Sequence, residues 1–419
     1  MRKKWIIISY FSNINNNPAS IHIDDRFKIL IENEVDCYLV SSIIGKKYSG
    51  FFHVRTPSLS VSGLRYELRF FLRSKIESKI FYNLILSIIM IIFSPFLLIE
   101  FLLTRNFFLQ LNLSWSWAIT GGLVAAWIIW KKNIDIIYST GGSVSSQTAA
   151  WIASRLTGKP WISEMQDPLT HLYNKNRPAE LRFNLWVEKK IAQQAKKMIF
   201  LTENAVAASK KRIPIYANKI IVLRPGLKKI NTIDSSQQTQ LKFIHLGTLD
   251  GTRNLTGFLD GMTIVCKGSS LQWSLELYGH IGKNITKEID RFKQNANIKK
   301  FGKISREKSL DLMCSGAILL LIQNLSEESH ETIPSKVYEY LQSGRLILGL
   351  IYQNTELRDL LCSHGHYVAE VNNPQAIAEA IDKIFLRFQQ AKLHSDIKPY
   401  TYTVEDSVKR LIEIANDDS

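Results

Sequence analysis

Short, unbroken apolar runs recur along the chain, each bounded by turn-forming residues. The first series is Trp5 to Tyr10, Cys37 to Val40, Ile134 to Tyr138, Pro160 to Met165, Met198 to Leu201 and Ile220 to Leu223. A second series begins at Leu241 to Leu246 and continues with Leu271 to Tyr278, Ile298 to Gly302, Ala317 to Ile322 and Leu346 to Ile351. Runs of this length without alternation read as strands covered on both faces, the pattern of parallel sheets. Between them lie segments with helical spacing. Ile21 to Asn33 places Phe27, Leu30 and Ile31 on one face, and Ser143 to Leu156, Leu185 to Lys196, the stretch opened by Thr202, Arg306 to Cys314 and Thr403 to Asn416 follow the same rule. Ser143 and Thr202 are suited to cap the helices they precede. Strand alternating with helix predicts an α/β protein. The polar run 231–240, rich in Ser, Thr and Gln, reads as a linker. Domains are therefore expected at 1–230 and 241–400, with a terminal helix over 401–419.

One part of the first half breaks the alternation. Gly63 to Lys79 is basic and amphipathic, with Arg65, Arg69 and Arg73 on one helix face and Leu68, Phe71, Leu72 and Ile76 supplying apolar surface. Ile80 to Ile99 carries no charge and is long enough to span a bilayer. A second apolar stretch, Trp115 to Trp130, precedes Lys131 and Lys132. A single crossing would put the strands at Trp5 and Ile134 on opposite sides of a membrane, although both should share one sheet. The insertion at 63–130 must then lie in the interface, dip in and return, form a two-span hairpin with its second stretch, or pack inside an enlarged domain. Asn83, Ser87, Ser94 and Pro95 weaken a straight lipid-facing helix. The interfacial or re-entrant form is the expectation, with the arginine ladder on anionic headgroups.

Composition narrows the partners. At 419 residues the chain is long enough for two cores, and 46% hydrophobic content excludes a disordered chain. The net charge of +16 favours an anionic partner: nucleic acid, phospholipid or a phosphorylated substrate. No zinc-finger spacing or other nucleic-acid signature accompanies that charge. Cys37, Cys266, Cys314 and Cys362 are scattered, with no Cys-x-x-Cys, and read as thiols in a reducing compartment. The opening Met-Arg-Lys-Lys-Trp-Ile-Ile-Ile imitates a signal peptide, but its apolar core is too short and no small-residue cleavage site follows, so a first strand is expected. No His, Asp or Glu cluster has metal-ligand spacing.

The candidate chemistry lies in Glu331-Thr-Ile-Pro-Ser-Lys-Val-Tyr-Glu339. Pro334 sits where a helix can begin, since a missing N–H costs nothing at a first helical position. Gly344 suits the left-handed residue just past the helix end. Glu331 is then expected in a loop at the C-terminal edge of a sheet, and Glu339 on the helix that follows. That edge is where open α/β sheets bind ligands. The free amides near Ser335 and Lys336 would form an anion site, helped by the helix dipole. The bland reading of the carboxylate pair is a solvated helix face.

Glu331, seven residues and Glu339, with Pro-Ser-Lys-Val-Tyr-Glu-Tyr-Leu-Gln-Ser-Gly inside and after, resembles the donor-site motif of retaining GT-B glycosyltransferases of family four. The resemblance implies two Rossmann-like domains facing across a cleft. It implies a nucleotide-sugar donor, with Glu331 beside the transferred sugar and Glu339 on the nucleotide ribose. Family members carry Gly-Arg and then Lys six residues after the Gly; here Gly247 is followed by Thr248, and Arg253 holds the Lys position. Arg253 and Lys336 would then grip the diphosphate, with the helix start at Ser335. In isolation Arg253 also fits an exposed surface arginine, and His280, in Gly279-His-Ile-Gly282, a surface loop.

The segment from Ile134 through Asp167-Pro168 resembles the N-terminal domain of polysaccharide-building members. Glu164 and Asp167 match the family's acidic pair, while Gln166 stands where many members have His. Asp167 would contact or deprotonate the acceptor hydroxyl; its residues alone fit equally well a helix N-cap with Pro168 first in the helix. Asn13 to Asn17 occupy a loop that is glycine-rich in the family, and Asn tolerates the positive φ such a turn needs. The last helix resembles the one that crosses back onto the first domain. Implied overall is retaining transfer to a lipid-linked or glycan acceptor in bacterial surface-polysaccharide synthesis, at the cytoplasmic face of the inner membrane, with no metal or other cofactor and no nucleic acid. A sugar-nucleotide epimerase of the same fold class and a non-catalytic membrane-docked assembly protein are the rival readings.

Overall fold

The computed structural model describes residues 2–14, 17–73, 75–104, 116–169, 178–227, 240–267, 272–292, 295–315 and 317–417. The chain divides into two compact units, Met1–Pro225 with Val404–Ser419, and Gly226–Thr403. The linker expected at 231–240 lies almost wholly outside the described residues.

The first unit runs β1 (Lys4–Ile8), α1 (Pro18–Glu32), β2 (Asp36–Ser42), β3 (Phe52–Thr56), α2 (Val61–Arg73), α3 (Lys79–Thr104), α4 (Trp117–Lys132), β4 (Ile136–Ser139), α5 (Val144–Thr157), β5 (Trp161–Met165), α6 (Pro178–Gln194), β6 (Lys197–Phe200), α7 (Glu203–Arg212) and β7 (Ile220–Val222). Its seven strands are all parallel, in the order β3-β2-β1-β4-β5-β6-β7. Successive residues of a strand point to opposite faces. Ile6, Ile8 and Ile137 pack against α4, α5 and α6, while Trp5, Ile7 and Tyr138 pack against α1 and the C-terminal helix. Both faces are covered, which is why the strands read as continuous apolar runs. Asn17 caps α1 by accepting from the Ser20 amide at 3.1 Å. Thr202 caps α7 by accepting from Ala205 N at 3.2 Å. Ser143 precedes α5 as expected, but its hydroxyl meets Ser145 Oγ at 2.6 Å and caps no amide.

The insertion departs from expectation in two places. The basic segment is not one helix from Gly63 to Lys79: α2 ends at Arg73 and α3 begins at Lys79. The two helices run antiparallel. Glu100, near the end of α3, accepts from Ser62 N at 2.9 Å at the start of α2, and Tyr82 Oη donates to Arg69 O at 3.4 Å near the other end. Tyr82, Ile85, Ile89, Phe93 and Leu97 form the half-buried stripe of α3, while Leu84, Ile88, Ile91, Ile92 and Phe96 are exposed. Within Lys79–Leu102 an 18-residue window has mean hydropathy 2.5, and by length and composition the segment could cross a membrane. The second apolar stretch is a core helix instead. Trp117, Ala118, Ala125, Ala126, Ile128 and Ile129 of α4 are buried, so a two-span hairpin with α3 is excluded. Gly122 has the side chain of Ile152 where its Cβ would stand, a close approach of α4 to α5 that only glycine permits.

The second unit runs β8 (Leu241–Leu246), α8 (Thr256–Cys266), β9 (Trp273–Tyr278), α9 (Lys283–Arg291), β10 (Ile298–Gly302), α10 (Arg306–Met313), β11 (Ile318–Ile322), α11 (Ser335–Gln342), β12 (Ile347–Ile351), α12 (Thr355–Ser363), β13 (Tyr367–Glu370) and α13 (Pro374–Gln389). Its six strands are parallel, in the order β10-β9-β8-β11-β12-β13. The final helix, α14 (Val404–Asn416), belongs to the first unit. There Ser407 Oγ donates to Arg224 O at 2.7 Å, and Val408 and Leu411 join the core on the α1 side.

Strand order decides where loops diverge. In the second sheet the chain moves from β8 outward to β10, then returns to place β11 on the other side of β8. In the first sheet it moves from β1 to β3, then returns with β4 beside β1. Each sheet therefore has a switch point at its C-terminal edge, between β8 and β11 and between β1 and β4, the place where open α/β sheets bind ligands.

Candidate active site

In the second unit the loops after β8 and β11 are tied together. Leu325 N donates to Thr252 O at 3.1 Å, joining the Glu331 loop to the Gly247 loop. Gln323, the residue after β11, donates from Nε2 to Ser329 O at 2.8 Å and Thr332 O at 3.2 Å. Asn354 Nδ2 donates to the same two carbonyls at 2.6 and 3.0 Å. Two side-chain amides thus fix the backbone on either side of Glu331, whose residue is 7% exposed.

Helix α11 begins one residue later than the sequence suggests. Pro334, with φ −56° and ψ 133°, is the N-cap and not the first helical residue. Its fixed φ still points the chain into the helix, and Val337 N closes the first turn on Pro334 O at 2.9 Å. No acceptor among the described residues takes the amides of Ser335 and Lys336, as expected for a first turn. Ser335 is exposed and Lys336 half-buried. Gly344 follows the helix at φ +65°, the left-handed geometry expected of it.

Lys336 reaches across the edge and donates from Nζ to Leu246 O, the last carbonyl of β8. Burial holds its pKa below the ordinary lysine value; Glu339 opposes that, and Arg253 and Arg306 add to it. A Cβ on Gly247 would stand 3.8 Å from Lys336 Nζ and 3.3 Å from His245 Nε2. The missing side chain leaves a small space walled by those two nitrogens. Gly279, at φ +131°, has Gly247 O where its own Cβ would be, so the loops after β8 and β9 meet backbone to backbone. Arg253 is half-buried, its amide held by Asp250 O at 3.1 Å and its Nε without a partner among the described residues. The surface-arginine reading therefore does not fit. His280 is a surface residue, 3.8 Å from Asp250.

Glu339 lies on α11 one helical turn beyond Lys336, and Arg306 Nη2 pairs with it at 2.8 Å. The structure thus brings Gly247, Arg253, Lys336 and Glu339 into one cluster, with Ser335 at the helix start beside them. Glu331 sits in the loop that leads into the same helix. Sequence reasoning missed His245, Arg306, Gln323 and Asn354. His245, Arg306 and Asn354 act through contacts between separate elements, and Gln323 through carbonyls six and nine residues on in its own loop, and no regular spacing announces either kind of contact.

In the first unit, Glu164, next to last in β5, is fully buried. It accepts from Arg26, from Thr140 Oγ1 at 2.8 Å and from His22 Nε2 at 2.7 Å. Burial first, and the Arg26 charge second, hold His22 well below the usual histidine range, so the ring is neutral. Its Nε2 must then carry the proton it donates to the carboxylate. Asp167 lies exposed at the same edge, its Oδ2 3.2 Å from where a Gly142 Cβ would be. The N-cap reading of Asp167 fails over the described residues: Asp167 to Leu169 are not helical, and α6 starts at Pro178. Gln166 Nε2 donates to Ala19 O at 3.3 Å in the first turn of α1. Asn13 has φ +53°, the positive value its loop was expected to need; Asn15 and Asn16 lie outside the described residues.

Among the described residues no group of three or more His, Cys, Asp or Glu is placed to hold a metal ion. No protein-family model and no curated protein sequence matches the chain. Solved structures do. HepE from Anabaena, solved with UDP, is 11% identical over 99% of this chain and 100% of its own, with a TM-score of 0.63. A glycosyltransferase from Rickettsia africae is 12% identical over 100% and 99%, with a TM-score of 0.61. A putative UDP-N-acetylglucosamine 2-epimerase from Listeria monocytogenes is 12% identical over 99% and 96%, with a TM-score of 0.55. The fold is that of the GT-B glycosyltransferases, two Rossmann-like units with parallel sheets of seven and six strands.

Proposed function

We propose that the chain is a retaining glycosyltransferase of the family-four type, moving a sugar from a nucleotide-sugar donor to a lipid-linked or polysaccharide acceptor. One observation carries this reading. At the switch between β8 and β11, the Gly247 loop, the cations Arg253 and Lys336, and the loop holding Glu331 are tied together within one unit. The neighbour HepE, solved with UDP, supports a nucleotide as the ligand class.

In this reading the diphosphate lies over Gly247. Arg253, Lys336 and the amides at Ser335 and Lys336 stabilise the negative charge that builds on it as the glycosidic bond breaks. Glu331 holds the sugar and offsets the positive charge that develops on it; buried as it is, its field is weakly screened. Glu339, oriented by Arg306, takes the ribose hydroxyls. The cations do the work a divalent metal does elsewhere, so no metal is required. Asp167 contacts the acceptor hydroxyl in the first unit. The acceptor belongs to bacterial surface-glycan synthesis, and the enzyme works at the cytoplasmic face of the inner membrane, docked through α3 on anionic lipid.

A labelled nucleotide sugar with membrane extract tests the reading. Label should enter the lipid or glycan fraction, and Glu331→Ala should lower that transfer by at least about a hundredfold while the fold persists, the usual cost of removing a transition-state charge partner. A fully active Glu331→Ala enzyme would remove the site assignment. The likeness to the Listeria protein favours one rival, an epimerase, for which free epimer would appear without an acceptor. No turnover in either form would leave a non-catalytic assembly protein.

A further inference from the structure

His245 sits near the end of β8, at the centre of the second sheet, and is 5% exposed. Its Nδ1 lies 2.9 Å from Leu320 O on β11. A carbonyl oxygen only accepts, so Nδ1 carries the hydrogen, and in the neutral ring Nε2 is a bare lone pair. That Nε2 is buried and has no hydrogen-bond partner among the described residues. A buried acceptor left unmade is costly, and few occur in native structures without a reason. This one faces the space above Gly247, opposite Lys336 Nζ.

We propose that His245 is a further ligand contact of the candidate site: when a nucleoside diphosphate occupies the space above Gly247, the imidazole takes a proton from solvent and donates from Nε2 to a phosphate oxygen. The proposal rests on reading the second unit as a nucleotide-sugar site. Among the described residues, two charges act on the ring. Lys336 comes from α11 and Arg253 from the loop after β8, both cationic, and β11 contributes only the Leu320 carbonyl. Burial above all, then these two cations, hold the empty-site pKa down to about 4, with the Leu320 hydrogen bond opposing them. A multiply charged anion between Lys336 and Nε2 reverses the sign of that field. The lone pair that would repel a phosphate becomes an N–H that binds it, with the strength of a charge-assisted hydrogen bond. One proton moves from solvent to Nε2, and no covalent bond is made or broken.

Two consequences follow for binding. Affinity for the diphosphate tightens as pH falls from 8 to 6, by at most about tenfold per pH unit, the limit for one linked proton. Binding also takes up as much as one proton. Calorimetric titration of the full chain with UDP in HEPES and in Tris, whose ionisation heats differ, counts that proton directly. His245→Gln keeps an amide that can donate and loses the group that titrates. The expected result is that the wild type takes up close to one proton more than His245→Gln, which still binds UDP. Equal proton counts in the two proteins overturn the proposal and leave the nucleotide-sugar reading intact. If UDP, GDP and ADP all fail to bind, that reading falls, and the proposal with it. Should His245→Gln not fold, 15N shifts of the wild-type imidazole decide. A neutral ring without ligand and an imidazolium with it support the proposal, and a ring that stays neutral in the complex overturns it.

Discussion

Arg26 and Glu164 show how far a residue's role can lie from its sequence neighbourhood. Their side chains are 1% and 0% exposed, and they come from α1 and β5. Arg26 also donates to Tyr138 Oη at 2.9 Å and to Ser407 Oγ at 2.8 Å, so one guanidinium ties together α1, β4, β5 and α14. Glu164 was visible in the sequence as half of an acidic pair, but its partners were not. A lone Arg in an amphipathic helix reads as a solvated charge, and only the fold puts it under the sheet edge. Buried pairs of this kind are costly to break, because the remaining charge cannot return to water. Arg26→Met should lower unfolding stability by about 3–5 kcal/mol, measured by urea denaturation. Arg26→Met with Glu164→Gln should recover part of that loss, since no bare carboxylate is left behind. A single substitution costing under about 1 kcal/mol would mean that water reaches Glu164 and that the pair acts as a surface pair does.

At the scale of elements, the strands covered on both faces were legible, while of the four edge strands β7 and β10 were read and two were not. Ile318 to Ile322 and Ile347 to Ile351 are buried at every position, and both were read from their apolar runs. Phe52-His-Val-Arg-Thr and Tyr367-Val-Ala-Glu are edge strands β3 and β13 with polar residues among them, and neither announced itself. An edge strand has one neighbour and less cover, so less apolar sequence is needed to hold it. The candidate site followed the same division. Gly247, Lys336 and the Glu331 loop lie next to legible strands, whereas Asn354 is recognisable only as the cap of α12, accepting from Leu357 N at 2.9 Å. Its second task, gripping Ser329 O and Thr332 O, depends on β12 pairing with β11. Asn354→Asp separates the two tasks. The cap acceptor survives, but a carboxylate oxygen replaces the Nδ2 that faced two carbonyls. Helix and fold should persist, while sugar transfer falls by about tenfold or more as Glu331 loses its fixed place. Unchanged transfer would show that Gln323 alone holds the loop.

For the whole molecule, the largest question is what covers α3. Its outward face runs the length of the helix, with Ile91 73% exposed and Leu84, Ile88, Ile92 and Phe96 beside it. Exposed apolar patches of this extent mark interaction surfaces. The inner face is already occupied by α2, which carries Arg65, Arg69 and Arg73. A hairpin with three arginines on one helix cannot sit in hydrocarbon with both helices surrounded by lipid. It can lie along a bilayer surface, with α3 turned into the acyl boundary and the arginines at headgroup level. On the proposed membrane-docked reading, the net charge of +16 would attract the chain to an anionic surface over a longer range. The two contributions separate by salt, because screening weakens the charge term and leaves apolar burial in place. The full chain should remain in the membrane pellet in high salt and leave it in detergent. Leu84→Asp with Ile91→Asp should shift the protein to the supernatant at high salt. Each change removes about 1.5–3 kcal/mol of apolar burial and adds the cost of bringing a charge to the lipid face. If high salt alone releases the wild type completely, charge is the whole of the attraction, and the exposed face of α3 must meet another protein surface.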